Sequence, residues 1–105
     1  MNQDLIILGC NGYVAAIETS SGKERWRTRL REGMLGGSRG YDVSVLIDGA
    51  VVYAGCKGRI YALQVSNGSL LWENELRGMG YNEVSLAREG TSIQYLTRVE
   101  QQHST

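Results

Sequence analysis

The stretch that decides the fold is AIETSSGKERW at residues 16–26, which returns 46 positions later as ALQVSNGSLLW at residues 62–72. The alanine, the glycine and the tryptophan keep their spacing in both copies. The correspondence extends without a gap over residues 5–31 and 51–77. The residues of the first copy that are identical in the second are Gly9, Cys10, Gly12, Ala16, Ser20, Gly22, Trp26, Leu30 and Arg31. Self-similarity at a fixed period predicts a tandem structural repeat.

Short apolar runs separated by glycine-containing turns predict β-strands, and no segment holds a helical period over three turns. The predicted strands are 5–9, 13–18, 24–30, 43–47, 51–55, 59–65, 70–76, 83–88 and 92–99. The predicted turns are Asn11-Gly12, Ser20-Ser21-Gly22, Asp48-Gly49, Lys57-Gly58 and Asn67-Gly68. A period in the forties with four strands per unit is typical of a β-propeller blade. We therefore predict an all-β fold with two four-stranded antiparallel blades and extra strands.

The strand phase suggests how the chain is divided. Residues 1–100 are predicted to form a two-blade module, with blade repeats at about 5–31 and 41–77, a partial third copy at 81–99 and a polar tail at 101–105. The first copy begins at Leu5, which corresponds to Val51, so we expect it to lack an innermost strand. The third copy starts with a spare inner strand, Glu83–Arg88, suited to complete the first blade of another subunit. The remaining predicted strand, Ser92–Val99, has no place in a blade and is expected to cover a sheet edge or to form part of an interface.

The two stretches resemble the tryptophan-docking repeat of the quinoprotein (pyrroloquinoline quinone, PQQ) propeller family, which reads Ala-x-Asp-x-x-Thr-Gly-Lys-x-x-Trp. Glu18 and Gln64 replace the aspartate, and Ser21 and Asn67 replace the threonine. In the second copy, Ser69 replaces the lysine. The resemblance implies a propeller fold. It does not imply an activity, because such repeats build dehydrogenases, outer-membrane assembly scaffolds and other binding proteins.

Six repeat residues are predicted to have a structural role between neighbouring blades. They are Trp26, Trp72, Gly22, Gly68, Ala16 and Ala62. Glycine allows a positive φ in the turn, and the tryptophan ring buries a large apolar face between blades. The side chains of Glu18 and Gln64 are expected to accept backbone N–H groups of the turn.

Two blades cannot close a ring, because propellers contain about four to eight. We expect the chain to associate with itself and complete the ring as a trimer of six blades or a tetramer of eight. The alternatives are that the chain is part of a longer protein or has a missing partner subunit.

The inter-blade loops are the predicted ligand-binding region. Gly33-Met34 and Gly40-Tyr41-Asp42 resemble Gly78-Met79 and Gly80-Tyr81-Asn82, and these segments cross one face of the propeller. Aromatic rings beside carboxylates and amides suit a small polar ligand, such as a sugar, or a protein segment. The predicted ligand-binding residues are Met34, Tyr41, Asp42, Met79, Tyr81, Asn82 and Glu83.

The balance of charge excludes some partners. Eleven basic and eleven acidic residues leave no net charge, so neither nucleic acid nor an anionic membrane is an expected partner. No signal peptide or transmembrane stretch is recognisable, which favours a cytoplasmic location.

No catalytic or metal-binding set is recognisable, and we predict neither an enzyme nor a cofactor. His103, the only histidine, lies in the polar tail. Cys10 and Cys56 occupy equivalent places in successive blades, beyond disulfide reach, and are expected to be small thiols that are buried or half-buried. The chain also lacks the adjacent cysteine pair of quinoprotein dehydrogenases.

The sequence therefore predicts a non-enzymatic, homo-oligomeric propeller that binds a ligand or partner on its loop face. A carbohydrate-binding, lectin-type propeller is the alternative. A quinone-dependent oxidoreductase is a more distant third.

Overall fold

The computed structural model describes residues 4–30 and 41–90. Within these ranges the chain forms seven β-strands and no helix. The strands are β1 (Leu5–Cys10), β2 (Tyr13–Glu18), β3 (Glu24–Arg29), β4 (Ser44–Asp48), β5 (Val51–Cys56), β6 (Arg59–Gln64) and β7 (Leu70–Asn74). The predicted Ser92–Val99 strand, the tail with His103, and Met34 lie outside the described residues.

The strands form two antiparallel sheets, each following chain order: β1-β2-β3 and β4-β5-β6-β7. The predicted all-β fold of antiparallel blades is confirmed. The repeat makes β1 equivalent to β5, the second strand of its sheet. Among the described residues, the first sheet therefore has three strands and no counterpart of β4.

The hairpin turns at Asn11-Gly12 and Lys57-Gly58 have the same geometry. The φ angles are 53° and 83° in the first turn and 54° and 73° in the second. A positive φ at both central residues is the type I′ turn, whose twist matches that of the flanking strands. Both turns therefore direct β2 and β6 back along their neighbours in the same register.

The hydrophobic core lies between the two sheets. Alternation along each strand sends every second side chain to the same face, so the facing sides of the sheets pack together. The core residues, each at most 2% exposed, are Val14, Leu30, Val52, Ala54, Cys56, Tyr61 and Leu63. Val14 comes from β2, whereas five of the others come from β5 and β6.

Trp26 on β3 reaches across this core to the turn that joins β6 and β7. Its indole Nε1–H donates a 2.7 Å hydrogen bond to the carbonyl of Val65. The Thr28 hydroxyl donates a 2.6 Å bond to the carbonyl of Gly68. A Cβ on Gly68 would lie 2.6 Å from Cδ2 of Trp26, so the ring rests directly on the glycine backbone. Ala16, opposite Trp26 in the ladder, is fully buried.

The polar side chains of the docking turns act differently from the prediction. The backbone N–H of Lys23 bonds Oγ of Ser21, and that of Ser69 bonds Oδ1 of Asn67, two residues back in each case. Glu18 instead accepts the Ser21 hydroxyl at 2.6 Å. A short side chain two residues before the N–H closes a compact local ring, which makes it the better acceptor.

The predicted inner strand Glu83–Arg88 is not a regular strand. Only Arg88 forms a bridge, and 83–87 has no ladder within the described part of the chain. A strand requires neighbours that satisfy its backbone groups, and the sheet that these residues would join is not among the described strands. The segment nevertheless follows the second sheet, because Val84 packs over Gly55 and its carbonyl accepts the Ser44 hydroxyl.

The two cysteines have different environments, although their repeat positions are equivalent. Both are free thiols; Cys56 is buried in the core and Cys10 is exposed. The expectation that both would be buried or half-buried is therefore wrong for Cys10. The first sheet covers the face of the second that carries Cys56, whereas no described residues cover the equivalent face of the first.

Replacing Trp26 tests the docking contact inside the chain. Trp26→Ala removes the buried ring and leaves the Val65 carbonyl unpaired, which should lower the free energy of unfolding by about 2–4 kcal/mol. Trp26→Phe keeps most of the ring area and should cost about 1 kcal/mol for the lost hydrogen bond. Urea denaturation followed by circular dichroism measures both. Equal effects of the two variants would show that the hydrogen bond, and not the ring, dominates.

A hydrogen bond from the Ser21 hydroxyl lowers the pKa of Glu18; desolvation opposes it, and the charges of Arg25 and Lys23 lower the pKa further. Because folding lowers this pKa, ionised Glu18 favours the folded state at neutral pH, and this contribution is lost as pH falls through the folded pKa. Ser21→Ala should raise the pKa of Glu18 in the folded chain, as measured by NMR titration of its side-chain carboxyl carbon. An unchanged pKa would assign the shift to the basic residues instead.

Candidate functional site

Each inter-blade segment is held over the hairpin turn of the preceding blade. The Gly12 N–H donates a 3.0 Å bond to the carbonyl of Tyr41, and the Gly58 N–H donates a 2.9 Å bond to that of Asn82. Gly58 must be glycine, because its φ is 73° and a Cβ would clash with the carbonyl of Gly80. The hairpin glycines therefore set where each loop crosses the face.

These hydrogen bonds change the alignment of the loops by one residue. They make Asn82, not Tyr81, the counterpart of Tyr41. Packing agrees, because Val43 lies over Gly9 as Val84 lies over Gly55. The similarity of Gly40-Tyr41-Asp42 to Gly80-Tyr81-Asn82 is therefore offset by one residue from the structural correspondence. Tyr81 precedes the counterpart of Tyr41, and Glu83 is the counterpart of Asp42.

A surface pocket of about 240 Å³ opens where the two loops meet. Its lining residues are Tyr41, Asp42, Lys57, Tyr81, Asn82 and Glu83. The volume is smaller than that of a typical site for a drug-sized ligand. It suits a single side chain of a polypeptide or one small polar molecule.

Five of the seven predicted ligand-binding residues line this pocket. Tyr81 and Tyr41 are 75% and 44% exposed, so both rings offer accessible faces. Met79 is 72% exposed and does not line the pocket, and Met34 lies outside the described residues. The methionines were included because they recur in the loop sequences, a pattern that does not report the direction of a side chain.

Lys57 is the pocket residue that sequence reasoning missed. It belongs to the β5–β6 hairpin turn, and its Nζ lies 4.8 Å from the centre of the Tyr41 ring. At this distance the ammonium is attracted to the face of the ring. The sequence could have indicated Lys57 through its position in the predicted Lys57-Gly58 hairpin turn, which the following loop crosses. The equivalent residue of the first repeat is the uncharged Asn11.

The pocket carries one more negative than positive formal charge. Asp42 and Glu83 supply the carboxylates, Lys57 supplies the ammonium, and the Asn82 amide can both donate and accept hydrogen bonds. Such a lining can orient a polar or cationic group against aromatic faces. It contains no histidine, cysteine or serine that would act as a nucleophile.

Residues 4–30 and 41–90 contain no group of three or more histidine, cysteine, aspartate or glutamate side chains placed to hold a metal ion. Within these same ranges, no helix could span a membrane.

The fold has known structural relatives. The crystal structure of BamB from Moraxella catarrhalis matches 68% of this chain, with a TM-score of 0.52 and 23% sequence identity. The match covers 20% of the BamB chain, so this protein corresponds to about one fifth of its length. At this identity the similarity shows a shared fold. No curated protein sequence matches the chain.

The family relationship rests on a match over most of the sequence. A family model described as outer membrane protein assembly factor BamB matches residues 11–102, which include both docking stretches and both inter-blade loops. The match confirms the resemblance to PQQ-type propeller repeats. This chain therefore belongs to the PQQ-like β-propeller family described as outer membrane protein assembly factor BamB.

Proposed function

We propose that this chain is a non-enzymatic propeller module that holds a segment of a partner protein on its inter-blade loop face. The observation that carries the proposal is the pocket at which two successive loops meet. Tyr41 and Asp42 come from the first loop, Tyr81 and Glu83 from the second, and Lys57 from the β5–β6 hairpin turn. These aromatic, charged and amide side chains can hold a polar or charged group by stacking and by charge-assisted hydrogen bonds.

The chemistry of the lining favours a segment with a basic side chain. An incoming lysine or arginine would find the carboxylates of Asp42 and Glu83 and the accessible ring of Tyr81. Charge-assisted hydrogen bonds and a cation over an aromatic face both favour such a group. Lys57, already over the Tyr41 ring, would repel a second cation placed there and so confine it to the Tyr81 side.

The family supports a role in protein assembly. Its description names a factor for the assembly of outer membrane proteins, and such a factor must contact other polypeptides. Because this chain spans about one fifth of the M. catarrhalis BamB chain, extending that role to it is part of the proposal.

A carbohydrate ligand is the second candidate. Two accessible tyrosine rings beside a carboxylate and an amide are also typical of sites where a sugar stacks and is hydrogen-bonded. The two candidates differ in charge, because a neutral sugar does not require the excess of carboxylate.

The cytoplasmic location expected from the sequence stays a prediction. The family description names an outer-membrane process, which points away from it. Cell fractionation with detection of the tagged chain would decide between a cytoplasmic and an envelope location.

Binding to an array of short synthetic peptides tests the first candidate. We expect selective binding to peptides with a central lysine or arginine over matched peptides with glutamate. Asp42→Asn with Glu83→Gln should weaken binding about tenfold or more, since both charge-assisted bonds are lost. Met79→Ala is the matched control, because it lies in the same loop but outside the pocket, and it should leave binding unchanged.

The same protein on a glycan array tests the second candidate. Binding to a neutral glycan that Tyr41→Ala or Tyr81→Ala abolishes, and that Asp42→Asn with Glu83→Gln leaves largely intact, would favour the lectin function. An absence of peptide binding would contradict the polypeptide proposal, and peptide binding that ignores the charge of the central residue would contradict the preference for a basic side chain.

A further inference from the structure

The docking contact inside the chain has three parts that recur at other places in the repeat. These parts are a tryptophan, a hydrogen-bond donor two residues after it, and a turn that ends in glycine. Inside the chain they are Trp26, Thr28 and the turn from Val65 to Gly68. The second tryptophan, Trp72, and the first turn, Thr19–Gly22, are the corresponding parts that this contact does not use.

The Thr19–Gly22 turn already has the conformation of the occupied one. Gly22 N–H bonds the Glu18 carbonyl at 2.8 Å, as Gly68 N–H bonds that of Gln64 at 2.8 Å. Both glycines have a φ of 78°. A Cβ on Gly22 would meet no described atom within 4 Å, whereas Gly68 is covered by Trp26. The turn is therefore a preformed acceptor that stands open in the described structure.

Trp72 is the matching donor. It lies opposite Ala62 in the ladder, as Trp26 lies opposite Ala16, and it is 47% exposed. Its ring is held beside Tyr53, with the ring centres 6.1 Å apart. Asn74 occupies the place of Thr28 and carries a side-chain amide that can donate a hydrogen bond. The donor side is thus oriented and solvent-accessible.

The face of β1 beside the open turn is also uncovered, whereas the equivalent face of β5 is buried. Val52, Ala54 and Cys56 are fully buried against the first sheet. Their counterparts on β1 are Ile6, which is 54% exposed, Leu8, which is 39% exposed, and the exposed Cys10. An apolar face with the same side-chain pattern as the buried one needs the same kind of cover.

The segment at residues 83–88 supplies a further match. Val84 covers Gly55 of the second sheet in the same way as Val43, just before β4, covers Gly9 of the first sheet. The segment is therefore placed as the inner strand of a following blade. The blade that lacks an inner strand among the described residues is the first one of this same sequence.

We propose that Trp72 of one copy docks on the Thr19–Gly22 turn of a second copy, head to tail. Its indole N–H would donate to the Thr19 carbonyl, the counterpart of the Val65 carbonyl, and its ring would cover Gly22. Donor and acceptor lie on opposite sides of the chain, so the contact repeats from copy to copy until a ring closes. Two blades per copy then give a trimer of six or a tetramer of eight blades. Trp72 and the Thr19–Gly22 turn lie outside the pocket lining.

The first test is the mass of the full chain in solution by light scattering. Wild type should have three or four times the single-copy mass of 11.6 kDa. Trp72→Ala removes the donor and should weaken association about hundredfold. Gly22→Asn should do the same, because a side chain there fits the free chain but not the docked one. Asparagine tolerates the positive φ of this position better than other residues do.

Mixing the two variants separates docking from misfolding. Trp72→Ala keeps an acceptor and Gly22→Asn keeps a donor, so an equal mixture should form a dimer of one copy of each. The double variant, which has neither the donor nor the acceptor, should stay a single copy. A wild-type chain that remains a single copy, variants that keep the wild-type mass, a mixture without the dimer, or a mass that grows without limit would each overturn the proposal.

Thiol labelling gives a second readout on the same samples. Cys10 should be protected in assembled wild type and reactive in Trp72→Ala, whereas the buried Cys56 should be unreactive in both. Equal Cys10 reactivity in the two proteins would overturn the proposal. Tyr81→Ala should leave both mass and labelling unchanged, so a failure of the pocket and a failure of the assembly are distinguishable.

Discussion

The structure depends on one contact, the indole of Trp26 on the backbone of the turn that ends at Gly68. A tryptophan on the last strand of one blade joins that blade to the next through a ring face and a hydrogen bond to Val65. The ring needs a glycine beneath it, and the indole N–H needs a carbonyl that the turn leaves available. This contact positions the two sheets so that the apolar faces of β2, β5 and β6 enclose the core.

The position of the pocket follows from the same arrangement. Once two blades are docked, the loops between them must cross the hairpin turns, and Gly12 and Gly58 determine where they cross. The pocket lies at the second crossing, where the loop carries Tyr81 and the hairpin turn carries Lys57. The features that build the fold are thus shared by both repeats, whereas the pocket combines residues of both inter-blade loops with Lys57, whose counterpart in the first repeat is the uncharged Asn11.

Much of the fold could be predicted from the repeat, because strand alternation and turn glycines leave a direct pattern in a sequence. The strands β1 to β7 and the two type I′ turns were accessible in this way. The loop alignment was not, since Tyr41 and Tyr81 are the same residue type but hydrogen bonding pairs Tyr41 with Asn82. The exposure of Cys10 was misjudged because burial depends on which neighbouring blade is present, and a short motif does not encode that. Met79 lies outside the pocket because its side-chain direction, which a recurring motif does not report either, leads elsewhere.

The same type of contact joins blades within a chain and, as proposed, between copies. Hydrogen exchange of the two indole N–H groups by NMR tests it most directly, because the chain has only two tryptophans. We expect slow exchange for Trp26 at every protein concentration. For Trp72 we expect fast exchange in dilute solution and slow exchange once copies associate. Trp72 exchange that is the same in dilute and concentrated samples would show that Trp72 does not join the copies.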